Sequence, residues 1–217
     1  MTRHGVLGGT FDPVHQGHLD VARAAQTALR LADVRLVPAR LPPHRGAPHA
    51  SASDRLAMVE RAVAGVPGLQ ASDLELHAAG PSYTVDTLDR LIAGGADPRG
   101  LFFITGADAF RDIAMWKAYP TLLDRCHFVA VSRPGCSAPS LRQALPELVP
   151  RMIDAADADG SAPRIVLVDA PTAAVSSTDV RSCVARGRPI DGLVPAAVAA
   201  YILERGLYRH PADPERI

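Results

Sequence analysis

The sequence predicts an α/β fold in one domain: a doubly wound, mostly parallel sheet with helices on its faces. Three observations predict it. Short apolar runs alternate with stretches whose apolar residues recur at helical spacing. No hairpin signal joins consecutive runs, so successive strands must be linked by crossovers. A glycine pair, Gly8-Gly9, closes the first apolar run, and a helical pattern follows a few residues later. That is the corner at which Rossmann-like folds grip phosphate.

Each element follows from its local pattern. The chain opens with an apolar run over 4–7 and a helix over 17–31, where Leu19, Ala22, Ala25 and Leu29 share a face. A strand over 34–37 leads to a helix over 54–64, and Ser51 and Asp54 are spaced as a capping box before it. Strands over 69–72 and 101–105 precede helices over 85–93, 109–115 and 121–125. Strands over 127–131 and 165–168 come next, then helices over 179–185 and 196–204, with Gly206 placed to end the last. The stretch 136–163 mixes Pro139, Pro146, Pro150, an Ala-Asp segment and Gly160, and reads as a surface excursion with helical character over 141–148. The domain is expected to span 1–209, and 210–217 reads as a loose tail.

Composition narrows the function classes. With 23 basic and 23 acidic residues and no long run of either sign, the chain lacks the basic excess of a nucleic-acid-binding face. The longest apolar run, 193–203, is too short for a membrane span and contains Pro195. No signal-peptide hydrophobic region precedes the first motif. Cys126, Cys136 and Cys183 form no C-x-x-C pair and suit a reducing compartment, so a cytoplasmic location is expected. Self-association is left open.

Chemistry concentrates at residues 8–18, G-G-T-F-D-P-V-H-Q-G-H. Gly8 and Gly9 allow close backbone approach, the following helix offers free N–H groups and a positive dipole end, and His15 and His18 can each offer a ring N–H to a phosphate oxygen. This corner reads as a nucleotide site, with Thr10 and Phe11 in it. The pattern is neither G-x-G-x-x-G nor Gly-Lys-Ser/Thr; the only lysine is Lys117. Zinc on His15, His18 and Asp12 is the alternative, but no cysteine lies near and helical metal pairs favour i, i+4. Ser176-Ser177-Thr178 opens a second helix with Arg181 in its first turn, where the hydroxyls either cap the helix or hold an anion beside the guanidinium. Gly106 and Asp108 follow a strand, so the carboxylate either accepts from ribose hydroxyls or caps a helix. Trp116, the only tryptophan, serves either the core or a stacking platform.

These motifs, together with Pro42-Pro43-His44-Arg45, Ser82-Tyr83-Thr84-Val85-Asp86-Thr87-Leu88, Phe103-Ile104-Thr105-Gly106-Ala107-Asp108, Arg133-Pro134-Gly135 and Val175-Ser176-Ser177-Thr178-Asp179-Val180-Arg181, fall in the order of a known family. The first motif resembles that of the nucleotidyltransferases related to class I aminoacyl-tRNA synthetases. The full set, from Gly8 to Arg181, resembles bacterial nicotinate-nucleotide adenylyltransferases. The resemblance implies adenylyl transfer from ATP to nicotinate mononucleotide, with Mg²⁺ arriving on the nucleotide. It places His15, His18 and Arg181 in catalysis. It places Gly8, Gly9, Thr10, Phe11, Gly106, Asp108, Ser176, Ser177 and Thr178 with them around ATP. It assigns His44, Arg45, Tyr83, Thr84, Trp116 and Arg133 to the mononucleotide; many of the family carry lysine where Arg45 stands. Three alternatives stay open: transfer to phosphopantetheine or glycerol phosphate, a nucleotide sensor without turnover, and an RNA-acting relative.

Overall fold

The computed structural model describes residues 2–43, 46–78, 80–158 and 162–209. The elements run β1 (His4–Gly9), α1 (Gln16–Leu29), β2 (Asp33–Pro38), α2 (Ala52–Val63), β3 (Leu69–Ala71), α3 (Thr84–Ala93), β4 (Leu101–Gly106), α4 (Ala107–Phe110), β5 (His127–Val131), α5 (Leu141–Ala144), β6 (Met152–Asp154), β7 (Ile165–Val168), α6 (Ser177–Ala185) and α7 (Ala196–Glu204). The strands form one sheet in the order β3-β2-β1-β4-β5-β7-β6, and every pairing is parallel.

Strand side chains alternate between two cores, as a period of two requires in a sheet covered on both faces. Leu7, Phe102, Ile104, Val129, Val131, Val166 and Val168 face one core, with Leu19, Ala22, Ala25 and Leu29 of α1, Met58 and Val59 of α2, and Val198 and Ile202 of α7. Val6, Phe103, Phe128, Ala130, Ile165 and Leu167 face the other, with Val85 and Leu88 of α3 and Phe110 of α4. The chain order reverses between β1 and β4, which lie side by side. A crevice opens beyond the carboxyl ends of strands at such a point. The motifs of residues 8–18 and 106–108 follow these two strands.

The structure differs from the sequence expectations in places. Gly8 and Gly9 do not make the turn; they continue β1, paired with Val37 and Pro38. The turn falls on Thr10–Val14, where Phe11 takes φ 50°. The helix expected over 109–115 is α4 followed by a 3-10 turn at Ile113–Met115, and 121–125 is a 3-10 turn at Thr121–Asp124. The stretch 136–163 is more than a surface excursion: its described part supplies β6, paired with β7, and buries Leu141, Leu145, Leu148 and Met152. Segment 210–217 lies outside the described residues. Among the described residues no helix is long and apolar enough to cross a membrane.

Candidate active site

Two cavities meet beyond the carboxyl ends of β1 and β4. The first, about 320 Å³, lies over the turn that follows β1. Gly8, Gly9, Thr10, Phe11, His15 and His18 line it from the β1–α1 corner. Gly106 and Asp108 line it from β4–α4, and Ser176, Ser177 and Thr178 from the start of α6. Gly106 is itself the N-cap of α4, so Asp108 sits one position inside that helix and does not cap it.

The two histidines are held against each other. His15 is the N-cap of α1, and its backbone N–H donates to His18 Nδ1 at 3.2 Å. Their rings stack with centroids 3.7 Å apart, and Phe11 meets His18 edge-on at 4.9 Å. His15 is 3% exposed and its Nδ1 is buried without a hydrogen-bond partner. Burial pushes its pKa down from 6.5 to about 4; Arg133 pushes the same way and Asp179 opposes both. The imidazole is therefore neutral near pH 7. Because the unfolded chain takes up this proton below pH 6.5 and the folded chain does not until about pH 4, stability is fully present above pH 6.5 and falls on acidification. Between pH 7 and 5 this group alone should cost about 2 kcal/mol. Urea unfolding at both pH values should show a smaller acid-induced loss for His15→Asn than for wild type. Equal losses would assign the pH dependence to other groups.

Arg133, which the resemblance assigns to the mononucleotide, lines this first cavity with the two histidines. Its Nη1 donates to the Gly17 carbonyl at 3.1 Å and Nη2 to the Val175 carbonyl at 3.2 Å. Two glycines make room for it. A Cβ on Gly17 would run into the guanidinium, and one on Gly106 would come within 2.9 Å of the arginine stem.

At the start of α6 the hydroxyls have structural work. Ser176 caps the helix, accepting from the Asp179 N–H at 3.1 Å, while Asp179 Oδ2 accepts from the Ser176 N–H at 3.0 Å. The Ser176 hydroxyl, donating to the same carboxylate, and the Ser176 N–H hold the Asp179 carboxyl below the usual carboxylate range. The Ser177 hydroxyl donates to the Pro13 carbonyl at 2.9 Å. Arg181 is not in the first cavity: its Nη1 donates to the Asp12 carbonyl at 2.6 Å and Nη2 to Thr178 Oγ1 at 3.2 Å. It borders a neighbouring groove with His49, Thr178 and Tyr208. Its bonds to Asp12 and Thr178 support the turn from the α6 side.

The second cavity, about 540 Å³, carries the aromatic residues. Tyr83 and Thr84 line it from the start of α3, and Trp116 and Met115 from the chain after α4. Trp116 is half-buried, its ring edge-to-face with Phe103 at 6.2 Å, so it is anchored in the core while also facing the cavity. Thr10 and Ala109 line both cavities. His44 and Arg45 lie outside the described residues. A wider cleft of 690 Å³ opens at the amino end of β1 and β4, beside His4, Arg35 and Arg90, away from all these motifs.

The cytidylyltransferase-like family profile matches residues 6–183. A Desulfitobacterium hafniense protein named "probable nicotinate-nucleotide adenylyltransferase" is 42% identical over 95% of this chain and 96% of its own. One of the same name from Pseudomonas fluorescens is 43% identical over 96% of this chain and 98% of its own. The chain belongs to the nicotinate-nucleotide adenylyltransferase family. The fold agrees: Plasmodium falciparum nicotinic acid mononucleotide adenylyltransferase, solved in complex with NaAD, superposes with a TM-score of 0.74 at 17% identity, covering 96% of this chain and 98% of that one.

In this family member the site also depends on residues that the motif reading passed over. Arg55 on α2 is 1% exposed. Its guanidinium donates to the carbonyls of Thr10 (2.8 Å), Ala39 (2.6 Å), Arg40 (3.1 Å) and Ala50 (3.3 Å). Asp12, 4% exposed, accepts from the N–H groups of His49 (2.8 Å) and Ala50 (3.1 Å) and from the Tyr208 hydroxyl at 2.8 Å. Burial and Asp12 raise the Tyr208 pKa, so this hydroxyl stays protonated and donates. Burial lowers the Arg55 pKa while Asp12 raises it. The carbonyls of Thr10, Asp12 and Pro13 are thus satisfied by Arg55, Arg181 and Ser177, which fixes the turn from behind. An arginine three and four residues before Met58 and Val59, on the apolar face of a helix, was the available signal for Arg55.

Proposed function

We infer that the chain joins ATP and nicotinate mononucleotide, giving nicotinic acid adenine dinucleotide and pyrophosphate, a step of NAD biosynthesis. The carrying observation is that the two cavities adjoin at Thr10 and Ala109. One offers histidines, an arginine and three helix starts, which suit a triphosphate; the other offers an aromatic face, which suits a pyridine ring. A substrate pair seated across the junction brings the mononucleotide phosphate toward the α-phosphorus of ATP.

In the reaction an oxygen of the mononucleotide phosphate bonds to the α-phosphorus as the α–β bridging bond breaks. The electron pair leaves on pyrophosphate. The attacking phosphate is already ionised near pH 7, so the chain contributes positioning and charge stabilisation rather than a strong base. His18 donates to the transferring group, with His15 and Arg133 beside it. Asp108 and Gly106 take the adenosine end, and Tyr83, Thr84 and Trp116 the mononucleotide. Arg181 keeps the turn in shape.

Among the described residues no three His, Cys, Asp or Glu side chains come together to hold a metal ion, and the Asp12 oxygens are taken by His49, Ala50 and Tyr208. This supports Mg²⁺ entering on the triphosphate, where it neutralises phosphate charge. The substrates are small molecules; the balanced charge speaks against a nucleic-acid face, and the cysteine pattern supports a reducing, cytoplasmic setting. Mass analysis of the product tests the reaction: a dinucleotide must form from both substrates. Trp116→Ala should raise KM for the mononucleotide more than for ATP. Equal effects would make Trp116 a core residue only.

A further inference from the structure

We propose that Lys117 selects an acidic over an amide group on the pyridine ring. The proposal rests on the function inferred above and names a specificity residue for it. Lys117 is the chain's single lysine and follows Trp116 directly. It lines the aromatic cavity, and its Nζ lies 4.6 Å from the centroid of the Tyr83 ring. Asp86, in the first turn of α3, holds Nζ at 3.0 Å from each carboxylate oxygen. The ammonium of this lining residue is thereby held by groups from a second element.

An ammonium has three N–H donors. Reaching the two Asp86 oxygens needs at most two of them. Thr84 and Val85 begin the same helix, so their N–H groups lie at its positive end. An anion in this cavity therefore meets a lysine and a helix start together. The lysine also offsets the negative charge nearby, because Asp112 lines the same cavity. Without Lys117, Asp112 would meet an incoming carboxylate uncompensated. A neutral carboxamide would feel this far less, so the ammonium discriminates between ligands of nearly identical shape.

The test compares nicotinate and nicotinamide mononucleotides as acceptors with wild type, Lys117→Met and Lys117→Arg. The ion pair is about half exposed and screened by solvent, so a moderate change is expected. Lys117→Met should reduce the acid-over-amide ratio of kcat/KM about tenfold, through KM for the acid, with KM for ATP unchanged. Lys117→Arg should keep most of the ratio. Because one lysine is present, amine acetylation of the folded wild type gives a second readout. The acid mononucleotide should protect Lys117 from labelling better than the amide does. If wild type is active but the ratio is the same in Lys117→Met, or both ligands protect equally, the proposal is wrong and the function stands. If wild type turns over neither mononucleotide, the function itself fails and takes the proposal with it.

Discussion

His18→Ala should lower kcat by about 10²–10³, the usual cost of removing one oriented donor from a developing charge. The orientation is built in. His18 Nδ1 accepts from the His15 backbone at 3.2 Å, which leaves the ring proton on Nε2. His15 stacks on one side of the ring and Phe11 meets it edge-on, so little rearrangement remains when the transition state forms. An interaction made only in the transition state lowers kcat and kcat/KM equally. Steady-state kinetics with both substrates reads this, and circular dichroism checks that the fold persists. Near-normal turnover would remove His18 from catalysis.

Arg55→Met should destabilise the protein by about 3–5 kcal/mol, the range for breaking up a buried charged network. The loss has two sources: the carbonyls of Thr10, Ala39, Arg40 and Ala50 lose their shared donor, and buried Asp12 loses the nearby cation. The urea midpoint should fall with the slope unchanged. Turnover should fall as well, measured under conditions where the variant is still folded, because Thr10 lines both cavities. A shift below about 1 kcal/mol would mean that water or other donors satisfy these carbonyls.

The parts legible in the sequence were those written in local pattern. Alternating apolar and helical runs placed six of the strands, because parallel strands buried on both faces read as short continuous apolar runs. The residue 8–18 motif located the corner that lines the first cavity because its glycines, histidines and helix start are contiguous. Strand β6 was hidden because three residues carry no period-two signal and Pro150 stands just before them. The buried spacing of Leu141, Leu145, Leu148 and Met152 was the clue that 136–163 packs inward. Placement of single side chains was not legible. Whether Arg133 points toward Trp116 or toward His15 depends on Gly17 and Val175, each more than 40 residues away in sequence. Arg181 reads as a phosphate ligand from its helix position, and its added contact with the Asp12 carbonyl is visible only in the fold. Arg55 and Tyr208 are joined to the motif through Asp12 and the turn, contacts between segments far apart in the chain.

Pyrophosphate release by the purified protein with Mg²⁺-ATP, with nicotinate mononucleotide compared against nicotinamide mononucleotide, tests the account most directly. Release that requires a mononucleotide and runs faster with the acid is the expected result. No release with either, alongside release with phosphopantetheine or glycerol phosphate, would contradict it and assign the aromatic cavity to another acceptor.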